Sequence, residues 1–391
     1  SIHATFFRRI MMKQEMNYER YQRQLILKGF GAAAQHKLQA ARVLVIGAGG
    51  LGCPIMQYLV AAGVGHIGIA DHDNVSVSNL HRQILFGIED VGLPKVEVVK
   101  RKMGSLNNDC NVEIWQEKWT QQLAVDHFPA YDVIVDATDN FASRYLINDA
   151  CVLMGKPLVF GAVSQFEGQV AVFNYLQEDG SRSVNYRDLF PEPPAGGEVL
   201  NCAEAGVLGV LPGIIGSMQA TEVIKLLTGI GTPLVNKLWN YNALTQDVFT
   251  IQLGVHPDAS SRIPTTAEGL LNTDYEWLCG VPAASIMEID ASNWFKDYHN
   301  HLVVDVREPH EMPRLTSLCK RMGISLMEIP LSALEDQMDS ISARQVVFVC
   351  QAGRRSLQAS SLFLKQNSAG SVCSLKGGVQ ALVASNHLNY E

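Results

Sequence analysis

The chain has no Cys-x-x-Cys pair: its eight cysteines stand at 53, 110, 151, 202, 279, 319, 350 and 373, never closer than 23 positions apart. That spacing excludes the usual zinc knuckles, and without a secretory signal a disulfide framework is not expected. The first residues, SIHATFFRRIMMKQEM, are basic but hold no continuous apolar run of the kind such a signal needs. A membrane-spanning run is missing too. The longest uncharged stretch, Ala205 to Thr221, is broken by Pro212 and four glycines, and it falls short of the roughly 20 apolar residues that cross a bilayer. It is expected as a buried helix or helix pair. There is no basic surplus either: 31 Lys and Arg against 39 Asp and Glu leave a net charge of -8, which argues against nucleic acid as the main ligand. Any acidic small molecule must then find local basic sites. No internal repeat or low-complexity tract appears. The expectation is a soluble protein of the reducing cytoplasm, with neither nucleic acid nor membrane as partner.

What the chain does have is apolar material for more than one core: 391 residues, 47% hydrophobic, with a prior of roughly two to three domains. RVLVI (42–46) reads as a buried strand, CPIMQYLVAAG as a helix and HIGIAD as a second strand, which together make one βαβ unit. VEIWQEKW (112–119), YDVIVDATD (131–139) and PLVFGAVS (157–164) continue the strands, with helical spacers such as FASRYLINDACVLMG between them. Helices alternating with β-branched strands predict an α/β fold, a mostly parallel sheet covered on both faces. After Gln252 the texture turns polar and turn-rich, so a linker is expected over 254–285. A second, smaller α/β pattern follows over 286–391, leaving 18–253 as the first domain.

In VLVIGAGGLG, Gly47, Gly49 and Gly52 match G-x-G-x-x-G between a strand and a helix, where backbone N–H groups face an anion. Asp71, 19 residues after Gly52, is placed to accept from ribose hydroxyls. These residues alone say nucleotide or dinucleotide, with an NAD-dependent dehydrogenase as the default. Three further features point away from it. NLHRQ sets Arg82 and Gln83 just after the second strand, with Lys95 some twelve residues on, so that a planar fork and a point charge converge on phosphates. DATDN ends a strand on carboxylates, where Asp139 either holds Mg²⁺, a hard cation that prefers oxygen, or caps the helix that follows. RYQRQ adds Arg20 and Arg23 ahead of the first strand.

RYQRQLILKGFG, GAGGLG, DHDNVSVSNLHRQILF, GLPKVE, DATDNFASRYLIND and NCAEAGVLGVLPGIIGSMQATEVIKLLTG stand in this order between Tyr18 and Leu253. The ordered set resembles the MoeB/ThiF family, the ubiquitin-activating-like adenylyltransferases of molybdopterin and thiamine biosynthesis. The resemblance implies a Rossmann-like fold and a reaction in which the C-terminal glycine carboxylate of a small ubiquitin-like sulfur carrier ending in Gly-Gly attacks the α-phosphate of MgATP. It further implies that Gly47, Gly49, Gly50, Gly52, Asp71, Asp73, Asn79 and Asn140 hold the nucleotide. Arg82, Gln83 and Lys95 would meet the phosphates and Asp139 the Mg²⁺, while Arg23 would enter the site from the other subunit of a homodimer. Cys202, in GEVLNCAEAG, is read either as a small hydrophobe capping the apolar helix or, as in some relatives, as the site of a covalent acyl intermediate. Many relatives carry structural zinc on two Cys-x-x-Cys pairs. Here the corresponding stretches read SVNY (183–186) and ASSR (259–262), so zinc is expected to be absent.

VFVCQAGRRSLQAS (347–360) places Cys350 at a strand end before a helix, where turn N–H groups and the helix dipole favour an anion. A free thiol, with a pKa of about 8.5, is lowered in such a setting, the more so with Arg354 and Arg355 near. The alternative is a buried structural cysteine. The stretch looks like the active loop of a rhodanese domain, and VVDVRE (303–308), MEIPLSAL (327–334) and LKGGVQAL (375–382) are similar to its other landmarks, while MPRLTSLCKRMGIS departs from them. A rhodanese thiolate carries a persulfide, taken from a donor such as a cysteine desulfurase or thiosulfate. An acyl-adenylate needs sulfur to become a thiocarboxylate. The resemblance therefore implies one chain that activates a carrier and sulfurates it, as the fused molybdopterin-synthase sulfurylases do, with Cys350, Arg355, Arg82, Asp139 and Cys202 as its chemical residues. A dehydrogenase with an accessory thiol domain and a non-catalytic carrier-docking adaptor are the alternatives.

Overall fold

The computed structural model describes residues 16–193, 206–275, 286–297, 301–341, 345–366 and 371–385. These fall into two compact units, one holding the described residues up to Asn272 and the other those from Thr273 onward.

The first unit is built on β1 (Arg42–Ile46), β2 (His66–Ala70), β3 (Asn111–Trp115), β4 (Val133–Asp136), β5 (Leu158–Ser164), β6 (Glu167–Phe173), β7 (Lys237–Asn242) and β8 (Val248–Gln252), in the order β3-β2-β1-β4-β5-β6-β7-β8. β1 to β5 pair in parallel and the last three strands are antiparallel. The unbroken apolar runs of β1 and β4 follow from this placement, because a central parallel strand is covered on both faces; Val43, Leu44, Val45, Ile134 and Val135 are all buried. The chain first adds strands on one side of β1 and then on the other, so the crevice for a ligand opens between β1 and β4. β4 stops at Asp136, the sixth residue of the YDVIVDATD run, because the Asp136 carboxylate turns back to accept from the Thr138 N–H and hydroxyl.

The uncharged stretch near residue 211 forms a single helix, Leu211–Thr228, with Pro212 in its first turn, where a missing N–H costs nothing. It packs against the helix Gly52–Ala62 and against β5 and β6. The first unit continues past Leu253. Ile263 and Leu270 are buried, and the short helix Ala267–Leu271, capped by Thr266, lies against the helices Gln121–His127 and Phe141–Met154. These two apolar residues in a polar, turn-rich stretch draw 254–272, expected as linker, onto the first unit; residues 276–285 lie outside the described residues.

The second unit is a five-stranded parallel sheet of β9 (Met287–Ile289), β10 (Leu302–Asp305), β11 (Leu326–Glu328), β12 (Gln345–Val349) and β13 (Ser371–Leu375), in the order β11-β10-β12-β13-β9. One face packs on Trp294, Leu318 and Leu382 and the other on Leu334, Met338 and Phe363. The MPRLTSLCKRMGIS segment supplies the helix Thr316–Met322, which sends Leu318 and Cys319 into the first of these cores.

One buried ion pair ties the helix Phe141–Met154 to the short helix Tyr186–Leu189 that follows β6. Arg187 Nε and Nη2 donate to the two Asp149 carboxylate oxygens, each at 2.7 Å, and the guanidinium lies 4.7 Å from the Tyr145 ring centre. Both side chains are buried, so removing one takes the opposite charge away from the other, at a cost of about 3–5 kcal/mol. Arg187→Leu is therefore expected to lower the unfolding midpoint of the first unit in urea by that amount, while Asp149→Leu/Arg187→Leu recovers most of the loss.

Candidate functional site

The end of β1 meets the end of β4 so closely that side chains are excluded. Gly47 has φ +105°, and a Cβ there would lie 2.5 Å from the Ala137 carbonyl oxygen. A Cβ on Gly52 would collide with the Gly47 carbonyl, and one on Gly50 would lie 2.8 Å from the Pro212 ring. Gly49 is different: its Cβ would meet only Gln83 Nε2, at 3.8 Å. Gly47 and Gly52 are thus required by backbone approach and Gly50 by the Leu211–Thr228 helix, whereas Gly49 is bare toward open space. That space is a cavity of about 190 Å³. Of the residues singled out in the sequence, Gly47, Gly49, Gly50, Asp71, Asp73, Asn79, Arg82, Gln83, Lys95, Asp139 and Asn140 line it. Gly52 lies behind it, and Arg23 is exposed on the helix Tyr18–Leu25, away from the lining.

Asp71 closes the glycine loop from below, accepting from Ala48 N–H and Asp73 N–H, both at 2.8 Å. The buried Lys95 ammonium donates to Asp73 at 2.8 Å and lies 3.8 Å from Asp71. Burial pushes the Asp73 carboxyl up, but Lys95, with His72 nearby, more than reverses this and holds it below the usual carboxylate range. Arg82 is half-buried and donates to the Ser78 carbonyl at 3.0 Å. Asn79 closes a capping box with Ser76 and so fixes the turn that carries Arg82.

In the DATDN segment the helix cap expected as one alternative for Asp139 falls to its neighbour. Asn140 is the helix cap, its side chain accepting from Ser143 N–H at 2.9 Å, which leaves Asp139 exposed at the cavity. Two residues not singled out in the sequence also belong here. Asp136 is fully buried, with one oxygen held by Thr138 and the other without a partner among the described residues; burial pushes its carboxyl up. Arg144 lines the cavity, largely buried between the Phe141 and Phe160 rings, and its Nε has no partner among the described residues. Four positions after the Asn140 cap, it sits one turn into the helix, a spacing that could have marked it. Lys118 and Trp119 enter from the end of β3, the carboxyl end of a parallel strand, where ligands gather. The residues present fit a nucleotide: a bare glycine loop, the cations Arg82, Lys95, Lys118 and Arg144, and a buried Gln83 carbonyl oxygen with no partner among the described residues. Asp139 supplies an oxygen suited to a divalent cation.

In the second unit Cys350 follows β12 directly, and the helix Arg354–Gln366 starts four residues later. Its Sγ is 1% exposed and accepts from Gly353 N–H at 3.1 Å. The loop is pinned from two sides. Val379 N–H donates to the Cys350 carbonyl and Gln380 N–H to that of Gln351. Gly378 comes so close that a Cβ there would lie 2.7 Å from Gly353 N. From β10, Arg307 pairs with Asp305 through two hydrogen bonds and donates its remaining Nη1 to the Gln351 side chain at 3.0 Å. Arg355, expected as a free cation beside the thiol, is instead engaged by Glu311 through bonds of 2.7 and 2.5 Å, so its charge is largely compensated. Cys202 and the Arg354 side chain lie outside the described residues.

A doubly wound sheet with a cationic crevice at its switch point, followed by a small parallel sheet holding a cysteine where strand turns to helix, defines a nucleotide-binding protein with a thiol-bearing second unit. The chain belongs to the ThiF family, whose model matches residues 21–262. It is 48% identical over 271 residues to the sulfur carrier protein adenylyltransferase of Thermus thermophilus, a match covering 69% of this chain and 98% of that protein. It is 40% identical over 372 residues to the probable adenylyltransferase/sulfurtransferase MoeZ of Mycobacterium tuberculosis, covering 93% and 92%, and 36% identical over 352 residues to the adenylyltransferase and sulfurtransferase MOCS3 of Xenopus laevis, covering 86% and 76%. The crystal structure of E. coli MccB with MccA-N7isoASN shares the fold of the first unit, with a TM-score of 0.54 at 21% identity over 62% of this chain and 74% of that one.

Gly49 separates ligand contact from folding. Gly49→Ala is expected to leave the thermal midpoint within about 1 °C of the parent, since its Cβ meets no packed atom, and to weaken ATP binding at least tenfold by calorimetry; Gly52→Ala should lower the midpoint instead, by several kcal/mol of overpacking.

Proposed function

We propose that this chain adenylylates the C-terminal glycine of a small ubiquitin-like sulfur carrier and then sulfurates it, using Cys350 as the sulfur-bearing residue. The observation that carries the reading is the convergence of Arg82, Lys95 and Arg144 with Asp139 on one crevice between β1 and β4, in a chain whose second unit holds a thiol on a backbone N–H at a strand end. Relatives aligned along nearly its whole length are named for both activities, and the dehydrogenase and adaptor readings are set aside.

In the first step a carrier carboxylate oxygen attacks the α-phosphorus of ATP, the bond to the β-phosphate oxygen breaks, and pyrophosphate leaves. The chain's part is positioning and charge neutralisation. The N–H groups of Gly47 and Ala48 are taken by Ala70 and Asp71, so those from Gly49 onward meet the phosphates, Arg82 and Lys95 meet the developing negative charge, and Asn79 keeps Arg82 in register. Asp139 would hold Mg²⁺, which supplies further neutralisation of the phosphates. In the second step the outer sulfur of a Cys350 persulfide attacks the acyl carbon and AMP leaves. This gives an acyl disulfide on Cys350; the thiol of a small-molecule or protein reductant attacks Cys350 Sγ, forms a disulfide with it, and the bond to the outer sulfur breaks to free the thiocarboxylate. The persulfide's outer sulfur comes from a donor such as a cysteine desulfurase or thiosulfate. No helix among the described residues is long and apolar enough to cross a membrane, and a cytoplasmic setting, where thiols stay reduced, suits this chemistry.

The working form is a homodimer in which Arg23 reaches the partner's crevice. This is supported by the exposure of Arg23 and by large exposed apolar residues on the 77–91 loop that carries the phosphate ligands, Val77, Ile84 and Ile88 among them. Structural zinc is absent from this reading. Asp188 accepts from His256 N–H at 2.9 Å and Glu192 pairs with Arg262, which joins the segments that zinc cysteines tie together in relatives.

Asp139→Ala is expected to slow ATP–pyrophosphate exchange by about 100- to 1,000-fold without shifting the thermal midpoint; unchanged exchange would remove the metal assignment. Cys350→Ser should show the reverse pattern: normal exchange, and no thiocarboxylate on the carrier by mass spectrometry. Elemental analysis of the purified protein should find well under one zinc per chain, and a stoichiometric amount would refute that part of the proposal.

A further inference from the structure

Behind Cys350 lies a pair of buried hydroxyls that the reaction as described does not use. Ser356 Oγ is 3.4 Å from Cys350 Sγ, 2.9 Å from the Gly353 carbonyl oxygen and 2.8 Å from Ser374 Oγ. Ser356, in the first turn of the Arg354–Gln366 helix, and Ser374, on β13, are both fully buried. A serine has one proton and two lone pairs, so the possible arrangements can be written out. With a neutral thiol, Sγ–H donates to Ser356 Oγ, and the Ser356 proton goes to the Gly353 carbonyl. With a thiolate, Ser356 can rotate its O–H from that carbonyl to Sγ. In these arrangements Ser374, whose Oγ lies 2.8 Å from Ser356 Oγ, donates to Ser356 and holds the oxygen where either bond is made.

We infer that Ser356 is a catalytic residue of the sulfur-transfer step, its hydroxyl turning from the Gly353 carbonyl to Cys350 Sγ as the thiol ionises, and that Ser374 is the positioning residue that seats it. The inference rests on the reading of Cys350 as the sulfur carrier. The thiol proton leaves to solvent. The thiolate, held by Gly353 N–H and Ser356 O–H, attacks the outer sulfur of the donor, a new Sγ–S bond forms, and the donor's own bond to that sulfur breaks with its electron pair, as sulfite where the donor is thiosulfate. Among the charged groups on the surrounding elements, Asp305 is bonded to Arg307 after β10 and Glu311 to Arg355. Glu308 precedes Glu311 in its loop, Lys376 follows β13, the neighbouring β13 carries the Cys373 thiol, and the helix Gly378–Ala384 carries no charge. With Arg307 and Arg355 paired to carboxylates, neutral donors take a larger share in holding a thiolate, and a hydrogen bond to a charged group is worth more than one between neutral groups.

The test uses the full chain and reads thiolate absorbance near 240 nm against pH, with Cys350→Ser as the blank, together with sulfur transfer from thiosulfate to cyanide. Ser356→Ala is expected to move the Cys350 titration up by about one pH unit or more and to reduce turnover at neutral pH roughly tenfold, the turnover recovering as pH rises. Ser374→Ala, which keeps the Ser356 hydroxyl, should shift both in the same direction by a smaller factor and covers the case in which Ser356→Ala fails to fold. ATP–pyrophosphate exchange should be unchanged in both variants. A parental titration in both variants, with turnover altered only through the thermal midpoint, would overturn the inference. A parent protein that takes up no sulfur on Cys350 would instead overturn the sulfur-carrier reading, and the inference with it.

Discussion

The backbone contact at the ends of β1 and β4 governs the first unit's chemistry. With Gly47 at φ +105° against the Ala137 carbonyl and Gly52 pressed on the Gly47 carbonyl, the loop can leave β1 only along one path, and that path lines the crevice with Gly47, Gly49, Gly50 and Leu51. Asp71 takes Ala48 N–H, and Lys95 then meets Asp71 and Asp73 together. A methyl group at either glycine would push the strand end away from β4 and move every one of these groups. The charged residues of the site thus depend on two positions that carry no side chain.

The crevice holds both signs of charge, and their placement explains how a chain of net charge -8 accommodates an anion. Lys95 is positioned by its pair with Asp73 and by Asp71, whereas Arg82 and Arg144 meet carbonyls and rings rather than carboxylates. A polyphosphate therefore finds donors already in place, which is the condition for fixed dipoles to stabilise developing charge without reorganisation.

The parts of this arrangement that were legible in the sequence are those encoded locally. The strand–glycine–helix unit, the Asp71 position, the turn carrying Arg82 and the strand-end cysteine all follow from spacing within some thirty residues. Asp139 and Asn140 show the limit. Both precede a helix and either could cap it; only the backbone path shows that Asn140 takes the cap and frees Asp139. Arg144 was hidden because an arginine one turn into an amphipathic helix reads as solvated surface until Phe160, from the next strand, closes over it. Glu311 reaches Arg355 across 44 residues, a separation at which no periodicity speaks, so the loop read as more cationic than it is. The stretch after Gln252 read as linker because two buried apolar residues, Ile263 and Leu270, are too few to set a pattern.

The two units arrive at one solution by different routes. Each has a set of five parallel strands whose order reverses once, between β1 and β4 in the first and between β10 and β12 in the second, and the candidate site residues lie at that reversal. There the connections leave on opposite faces, their loops diverge, and the carboxyl ends of the strands are left uncovered. The first crevice stays open and takes a ligand with several phosphates. The second is drawn in: Val379 and Gln380 bond to the loop carbonyls, Gly378 packs against its amides, and Arg307 ties Gln351 to β10, so that Cys350 is buried. A single buried atom is best held by short-range neutral donors, since a desolvated cation next to it would cost more than it returns. Arg355 and Arg307 can then pair with carboxylates and stiffen the loop. Joining the two crevices in one chain keeps the sulfur nucleophile at high effective concentration about the activated carrier, which matters because an acyl-adenylate that waits in water is lost to hydrolysis.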